Sequence, residues 1–216
     1  MPIFFANYEF STYPRRRFGL GTGYGIFLGN EPNGRLLERI HSARVTPAMP
    51  PSTHTVGMHK IWARNGLNSA LSKLTQELNC DIAVWSSTTT RNTIPVVHAV
   101  FGQKHPFKFV WTREQTIPDD FRRSVPFDAE DENATIKDLG EVWKQYPEYS
   151  PEHTIVVDDT PSKLRGAAEN FVWLEGLGDG DAEKVKSDTH LTKFVEFVEK
   201  QIVTSKDVRQ ILPLRL

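Results

Sequence analysis

Residues 154–159 read Thr-Ile-Val-Val-Asp-Asp, so four apolar or β-branched positions run straight into two adjacent carboxylates. A run this short and unbroken fits a strand buried on both faces, the kind found in parallel sheets. The aspartates then stand at its mouth, where like charges repel and burying either one alone costs roughly several kcal/mol. A cation or a proton relieves such a pair, and a bound metal is the obvious candidate.

The rest of the chain places this strand in an alternating pattern. Ile3 to Ala6 form a short apolar run that reads as a first core strand. Ala70, Leu71, Leu74 and Leu78 fall on one helical face, and Cys80 to Trp85 form an apolar strand ending at Ser86-Ser87-Thr88. Pro95 suits the first turn of a further helix whose Ile94, Val97, Val100 and Phe101 face inward, and Phe107 to Trp111 make another strand. Leu139, Val142 and Trp143 mark a helix, and Leu191, Phe194, Val195, Val198 and Ile202 an amphipathic one. Strands alternating with helices imply an α/β fold, a mainly parallel sheet with helices on both faces in a three-layer Rossmann-like arrangement. Ligands of such sheets collect beyond the carboxyl ends of the strands.

Composition limits what this fold can be used for. At 38% hydrophobic and 11% aromatic residues, the 216 positions support one sizeable core. The reading is a single domain over residues 1–216, with an irregular Gly/Pro/Arg-rich insertion at about 12–59. With 26 Lys+Arg against 27 Asp+Glu, no overall field draws the protein onto nucleic acid or anionic lipid. No apolar run approaches the roughly 20 residues of a membrane span, and MPIFFANYEF lacks the basic start of a secretory signal. Cys80 is the only cysteine, which excludes an internal disulfide and a multi-cysteine zinc site, and fits a reducing compartment, nuclear or cytoplasmic. Gly19 to Gly25 lacks the Gly-Lys-Ser/Thr ending of a P-loop and reads as a turn, and the seven histidines show no metal spacing. Asp128 to Asn133 reads as a solvated acidic loop. Trp85, Trp111 and Trp143 read as core residues, while Trp62 has a peptide groove as its second reading.

Three polar features stand where a ligand would bind: Ser86 after one strand, Asp158 and Asp159 after another, and Lys137 at a helix start. Each has an ordinary explanation, as an N-cap, a turn and a solvated charge. Their order is less ordinary. DIAVWSSTTTRN, FKFVWTREQT, IKDLGEVWKQYP and HTIVVDDTPSKL together resemble motifs of the phosphatases that act on the C-terminal domain of RNA polymerase II, a family of the haloacid dehalogenase (HAD) superfamily. The likeness extends over roughly Cys80 to Ile211, and IWARNGLNSALSKL resembles the family's Arg-Pro-Gly motif with Asn65 in place of Pro. Within the family, the stretches most resemble the ubiquitin-like-domain phosphatase branch.

The resemblance implies a HAD-like fold and phosphoryl transfer from phosphoserine or phosphothreonine of a protein or peptide to an aspartate. That chemistry depends on charge neutralisation and alignment. It implies that Ser86, Ser87, Arg64 and Lys137 contact the phosphate, with Ser86 and Lys137 also assisting catalysis. It further implies that Asp158, Asp159 and the residue at position 7 hold Mg²⁺, an ion suited to an oxygen-only site.

The first motif departs from the family. After its apolar strand the family carries Asp-x-Asp-x-Thr, whereas PIFFA is followed by NYEFS, putting Asn7, Glu9 and Ser11 in those places. No aspartate precedes Asp81. Asn7 offers a neutral amide oxygen, a possible metal ligand but a poor nucleophile. Three readings stay open: a pseudophosphatase that recognises phosphopeptides, an active enzyme using Glu9 or water, and a true first strand in sequence ahead of residue 1. A non-catalytic protein-binding use of the same fold, like the presequence receptor subunit of the mitochondrial inner-membrane translocase, is the alternative and carries a mitochondrial location with it.

Overall fold

The computed structural model describes residues 50–57, 59–124, 134–164, 166–177 and 182–216, together with the backbones of two strands at residues 2–6 and 26–29. Strand β1 is Pro2–Ala6, β2 is Ile26–Gly29, β3 is His54–Val56 and β4 is His59–Ala63. Strand β5 is Asp81–Trp85, β6 Phe107–Trp111, β7 Ile117–Pro118, β8 Thr135–Ile136, β9 Ile155–Asp158, β10 Phe171–Trp173 and β11 Leu214–Arg215. Helix α1 is Leu67–Ser72, α2 Thr90–Phe101, α3 Asp120–Arg123, α4 Leu139–Gln145, α5 Ala182–Ser187 and α6 His190–Phe197. Among the described residues no helix is long and apolar enough to cross a membrane.

The main sheet has six strands in the order β11-β10-β9-β1-β5-β6, and every pairing in it is parallel. Its inner strands are apolar because both faces are covered. Ile155, Val156 and Val157 are each 0% exposed, and full burial of such side chains is worth about 1.5–3 kcal/mol apiece. Alternation then sorts them. Ile82, Ile155, Val157 and Val172 meet Leu74, Leu191, Phe194 and Val198 on one face. On that face too Val84 packs with Ile61, Val96 and Val97. Ala83, Trp85, Val156 and Phe171 meet Leu139, Val142 and Leu164 on the other. The result is the three-layer α/β arrangement expected from the sequence.

Three expectations changed in detail. Helix α2 begins at Thr90, so Pro95 lies inside it rather than in its first turn. The proline removes only the bond to the carbonyl of Arg91, an exposed residue that water can satisfy. Val96 is consequently a core residue at 0% exposure, while Ile94 is half-buried. Both α1 and α6 continue through wider π turns, closed by Leu78 N–H to Lys73 O (2.9 Å) and Val203 N–H to Val198 O (3.0 Å). Part of the 12–59 stretch is regular after all: β2, β4 and β3 form an antiparallel sheet, with Gly57 at φ 59° in the β3–β4 turn. Strands of three to five residues are too short for a period to show.

Trp62 is also a core residue rather than part of a groove. It is 6% exposed, packs with Leu177 and Val185, and donates its indole N–H to the Pro50 carbonyl at 2.8 Å.

Candidate functional site

β1 lies between β5 and β9, and the register puts Phe5 level with both Val84 and Val157. Ser86 follows β5 directly, and Asp158 ends β9. Both therefore emerge at the carboxyl edge of the sheet, on strands that flank β1 and so lie roughly 10 Å apart. The chain reverses its direction of sheet growth at β1, going to β5 and β6 on one side and to β9, β10 and β11 on the other. A crevice at such a switch point is where an open α/β sheet binds its ligand.

On the β9 side, Lys137 donates Nζ–H to Asp158 Oδ2 at 2.8 Å, with both side chains 0% exposed. Asp158 Oδ1 accepts the Thr160 N–H at 2.9 Å. The Thr160 hydroxyl donates to Asp159 Oδ1 at 2.6 Å. The two adjacent carboxylates are thus held by a lysine, an amide and a hydroxyl within one tight turn. Lys163 closes this turn: its N–H donates to Thr160 O at 3.1 Å, and its carbonyl accepts the Lys137 N–H at 2.8 Å. Lys163 is 5% exposed.

Burial dominates the electrostatics. It pushes the Lys137 ammonium down to about 8, against the pull of Asp158 and with the help of Lys163. It pushes the Asp159 carboxyl up to about 7, reinforced by the charge on Asp158 and opposed by Lys163. Two buried carboxylates side by side hold both charges poorly at neutral pH. A hard divalent cation is the group that such an oxygen-only donor set fits, and Asp158 and Asp159 are the residues that would hold it.

On the β5 side, the loop after Trp85 is fixed by its own hydroxyls. Ser86 N–H donates to Trp111 O at 2.8 Å. Ser86 Oγ accepts the Thr88 N–H at 3.1 Å and lies 2.9 Å from Thr88 Oγ1. Thr88 Oγ1 in turn lies 2.6 Å from Thr93 Oγ1, which ties the loop to the first turn of α2. Arg113 donates Nε–H to Ser87 O at 2.7 Å. Ser87 is 5% exposed, and its hydroxyl finds no hydrogen-bond partner among the described residues. A buried donor left in that state wants a ligand or water.

Of the residues singled out in the sequence, Lys137, Asp158 and Asp159 come together, and Ser86 and Ser87 occupy the end of β5, on the far side of β1. Arg64 is engaged elsewhere. Its guanidinium pairs with Asp188 Oδ1 at 2.8 Å, both side chains buried, and donates to the Glu175 carbonyl. Asn65 joins the same segment, donating to the carbonyls of Val185, Lys186 and Asp188. Asn7, Glu9 and Ser11 lie outside the described residues, as does the acidic stretch 128–133. Thr160 and Lys163 escaped the sequence reading. A threonine and a lysine around a proline look like surface turn residues, and only the backbone bond from Lys137 shows that this turn folds inward.

A family model described as NLI interacting factor-like phosphatase matches residues 39–209, more than half of the chain. The match starts after β1. Among curated proteins there is no match.

Proposed function

Because the chain belongs to the NLI interacting factor-like phosphatase family, we propose that the crevice beside β1 captures the phosphoryl group of phosphoserine or phosphothreonine in a protein and turns it over poorly. The buried Lys137–Asp158 pair carries this reading. An ammonium and a carboxylate at 2.8 Å, both sealed from water, cost too much to be an ordinary surface pair. Beside a carboxyl strand edge they supply the charge balance that phosphoryl binding needs.

Each residue then has a task. The Lys137 ammonium offsets charge on the phosphoryl oxygens while keeping Asp158 oriented. The Ser86 hydroxyl, set by Thr88 and Thr93, and the Ser87 hydroxyl donate to phosphoryl oxygens. Phosphatases of this family are generally magnesium-dependent, and bound Mg²⁺ would neutralise phosphate charge at Asp158 and Asp159.

The weak step is attack. The family delivers the phosphoryl group to an aspartate following its first strand; on this reading β1 takes that strand's place, and its sequence PIFFA leads into Asn7 and Glu9. An amide has no carboxylate oxygen with which to displace the seryl oxygen, and Glu9 is a methylene longer than the family's aspartate. Asn7 is left as a metal ligand, with recognition dominant over hydrolysis. The motif sequences resemble those of the ubiquitin-like-domain branch.

Hydrolysis of p-nitrophenyl phosphate with Mg²⁺ tests this. The unmodified chain should stay near background, and the pair Asn7→Asp and Glu9→Asp should raise turnover. In calorimetry, Asp158→Asn should abolish Mg²⁺ binding seen in the parent. Robust turnover by the parent that disappears in Glu9→Gln refutes the degenerate reading.

A further inference from the structure

Arg64 is the first residue after β4, and its guanidinium holds two segments at once. Nη1–H donates to Asp188 Oδ1 at 2.8 Å, and Nη2–H donates to the Glu175 carbonyl. Asp188 is itself fixed at the start of α6, where the same Oδ1 accepts the His190 N–H at 3.2 Å and lies 2.6 Å from His190 Nδ1. The two side chains of the pair are sealed from water, at 0% and 1% exposure.

The Glu175 end of this fork leads to the crevice. Glu175 stands just past β10, which runs beside β9 with Trp173 level with Asp158. Between them, Leu174 is buried and donates its N–H to the Asp158 carbonyl at 3.2 Å. A path of bonds therefore runs from the Arg64 guanidinium to the Glu175 carbonyl, one residue back along the chain to Leu174, and across to the backbone of Asp158. The carboxylate proposed to hold the metal departs from that backbone.

We infer that Arg64 is a positioning residue for Asp158, acting through the 174–175 backbone. The inference rests on the metal reading above and adds what sets the ligand's place on the sheet edge. Lys137 and the Thr160 N–H orient the Asp158 carboxylate, whereas Leu174 fixes the backbone it hangs from. Ligands must be held to about 0.5 Å for a site to work. Bonds that hold a ligand in this way are worth roughly 10–100-fold in metal affinity. An arginine suits the task because its planar fork spans a carboxylate and a carbonyl together, which the point charge of a lysine does not.

Asn65 supplies the contrast. It staples the same loop, donating to the carbonyls of Val185, Lys186 and Asp188, and none of these bonds involves residues 174–175. Loosening the loop at Asn65 therefore separates scaffolding from positioning.

The test compares the full-length parent, Arg64→Lys and Asn65→Ala by amide hydrogen exchange without metal and by Mg²⁺ calorimetry, at a temperature where circular dichroism shows each folded. Relative to the amides of β5, which report global opening, Arg64→Lys should speed exchange of the Leu174 N–H about tenfold. It should also weaken Mg²⁺ binding about tenfold, the lower end for a group that holds a ligand. Asn65→Ala should lower the melting temperature yet leave both quantities within about twofold of the parent, as an independent site would. Should Arg64→Lys not fold, Asp188→Asn, which keeps the arginine but removes the charge that orients it, takes its place with the same expected signs. If Mg²⁺ affinity falls alike in the Arg64 and Asn65 variants or in neither, or if neither Arg64→Lys nor Asp188→Asn folds, Arg64 is scaffold and the inference is overturned, while Mg²⁺ binding by the parent leaves the metal reading standing. A parent that binds no Mg²⁺ overturns the metal reading and the inference with it.

Discussion

Replacing Lys137 by methionine keeps the length of its side chain and strands the carboxylate of Asp158 inside the protein. At the observed 2.8 Å, an effective dielectric near 20 gives roughly 6 kcal/mol of gross attraction between the two. Burial works against this attraction and outweighs it, which is why the Lys137 ammonium is pushed down to about 8. The net worth of the pair is therefore small, yet breaking it from one side is costly. Loss of one partner of a fully buried pair costs about 3–5 kcal/mol because the other charge stays buried. Asp158 keeps the Thr160 N–H as a donor, which softens that penalty, so Lys137→Met belongs at about 3 kcal/mol, the lower end. For a chain of 216 residues this lowers the melting temperature by about 6–12 °C.

The double substitution Lys137→Met with Asp158→Leu removes both charges. It should return stability to within about 1 kcal/mol of the parent while abolishing ligand binding, because apolar replacements of a buried pair are often neutral or better. Urea unfolding of the parent, both single variants and the double variant closes the cycle. A cost below about 1 kcal/mol for Lys137→Met is the value of a solvated surface pair. That outcome would refute the buried-pair reasoning, and with it the charge balance assigned to the crevice.

Other consequences can be measured independently. Arg64→Lys keeps the charge but loses the fork that joins Asp188 to the Glu175 carbonyl, so urea unfolding should show a loss of about 2–3 kcal/mol, and an effect below about 0.5 kcal/mol counts against it. Glu114 is held down to about 2, chiefly by the Thr112 hydroxyl and further by the Thr90 amide and hydroxyl. A depressed carboxylate stabilises the fold above its unfolded value of 4.5 and loses that contribution as pH falls toward 2. Because Glu114 is exposed, the gap between the parent and Glu114→Gln should be under about 1 kcal/mol at pH 7 and should close by pH 2; a gap that widens on acidification contradicts the sign. Burial pushes the Cys80 thiol up, so labelling with a thiol reagent at pH 7.5 should proceed only at the rate of unfolding, and rapid labelling of the native chain contradicts the packing.

Legibility from sequence followed burial. β5 and β9 could be read to within a residue or so because both faces are covered, leaving apolar runs such as IAVW and IVV that have few other uses. The antiparallel β2-β4-β3 sheet could not, since its strands are short and β3 and β4 are mixed in polarity. Pro95 misled because the sequence does not say that the carbonyl it leaves unpaired faces water. The site divided along the same line: Asp158, Asp159 and Ser86 announce themselves by standing at the ends of apolar strands, where a polar residue changes the pattern abruptly.

Lys163 and Arg64 show the opposite case. Lys163 reads as a surface charge and Arg64 as a phosphate contact, yet each is almost completely buried, and what decides its role is a partner far away in sequence. Arg64 meets Asp188, 124 positions on, and the turn carrying Lys163 is bonded to Lys137, 26 positions back. Local pattern carries no information about such pairings, because one lysine can serve equally as a solvated charge or as half of a buried balance. Charge neutrality gives the missing constraint once the fold is known. Two adjacent carboxylates sealed under a sheet edge require compensating charge nearby, so the turn that follows them is where a buried cation should be sought.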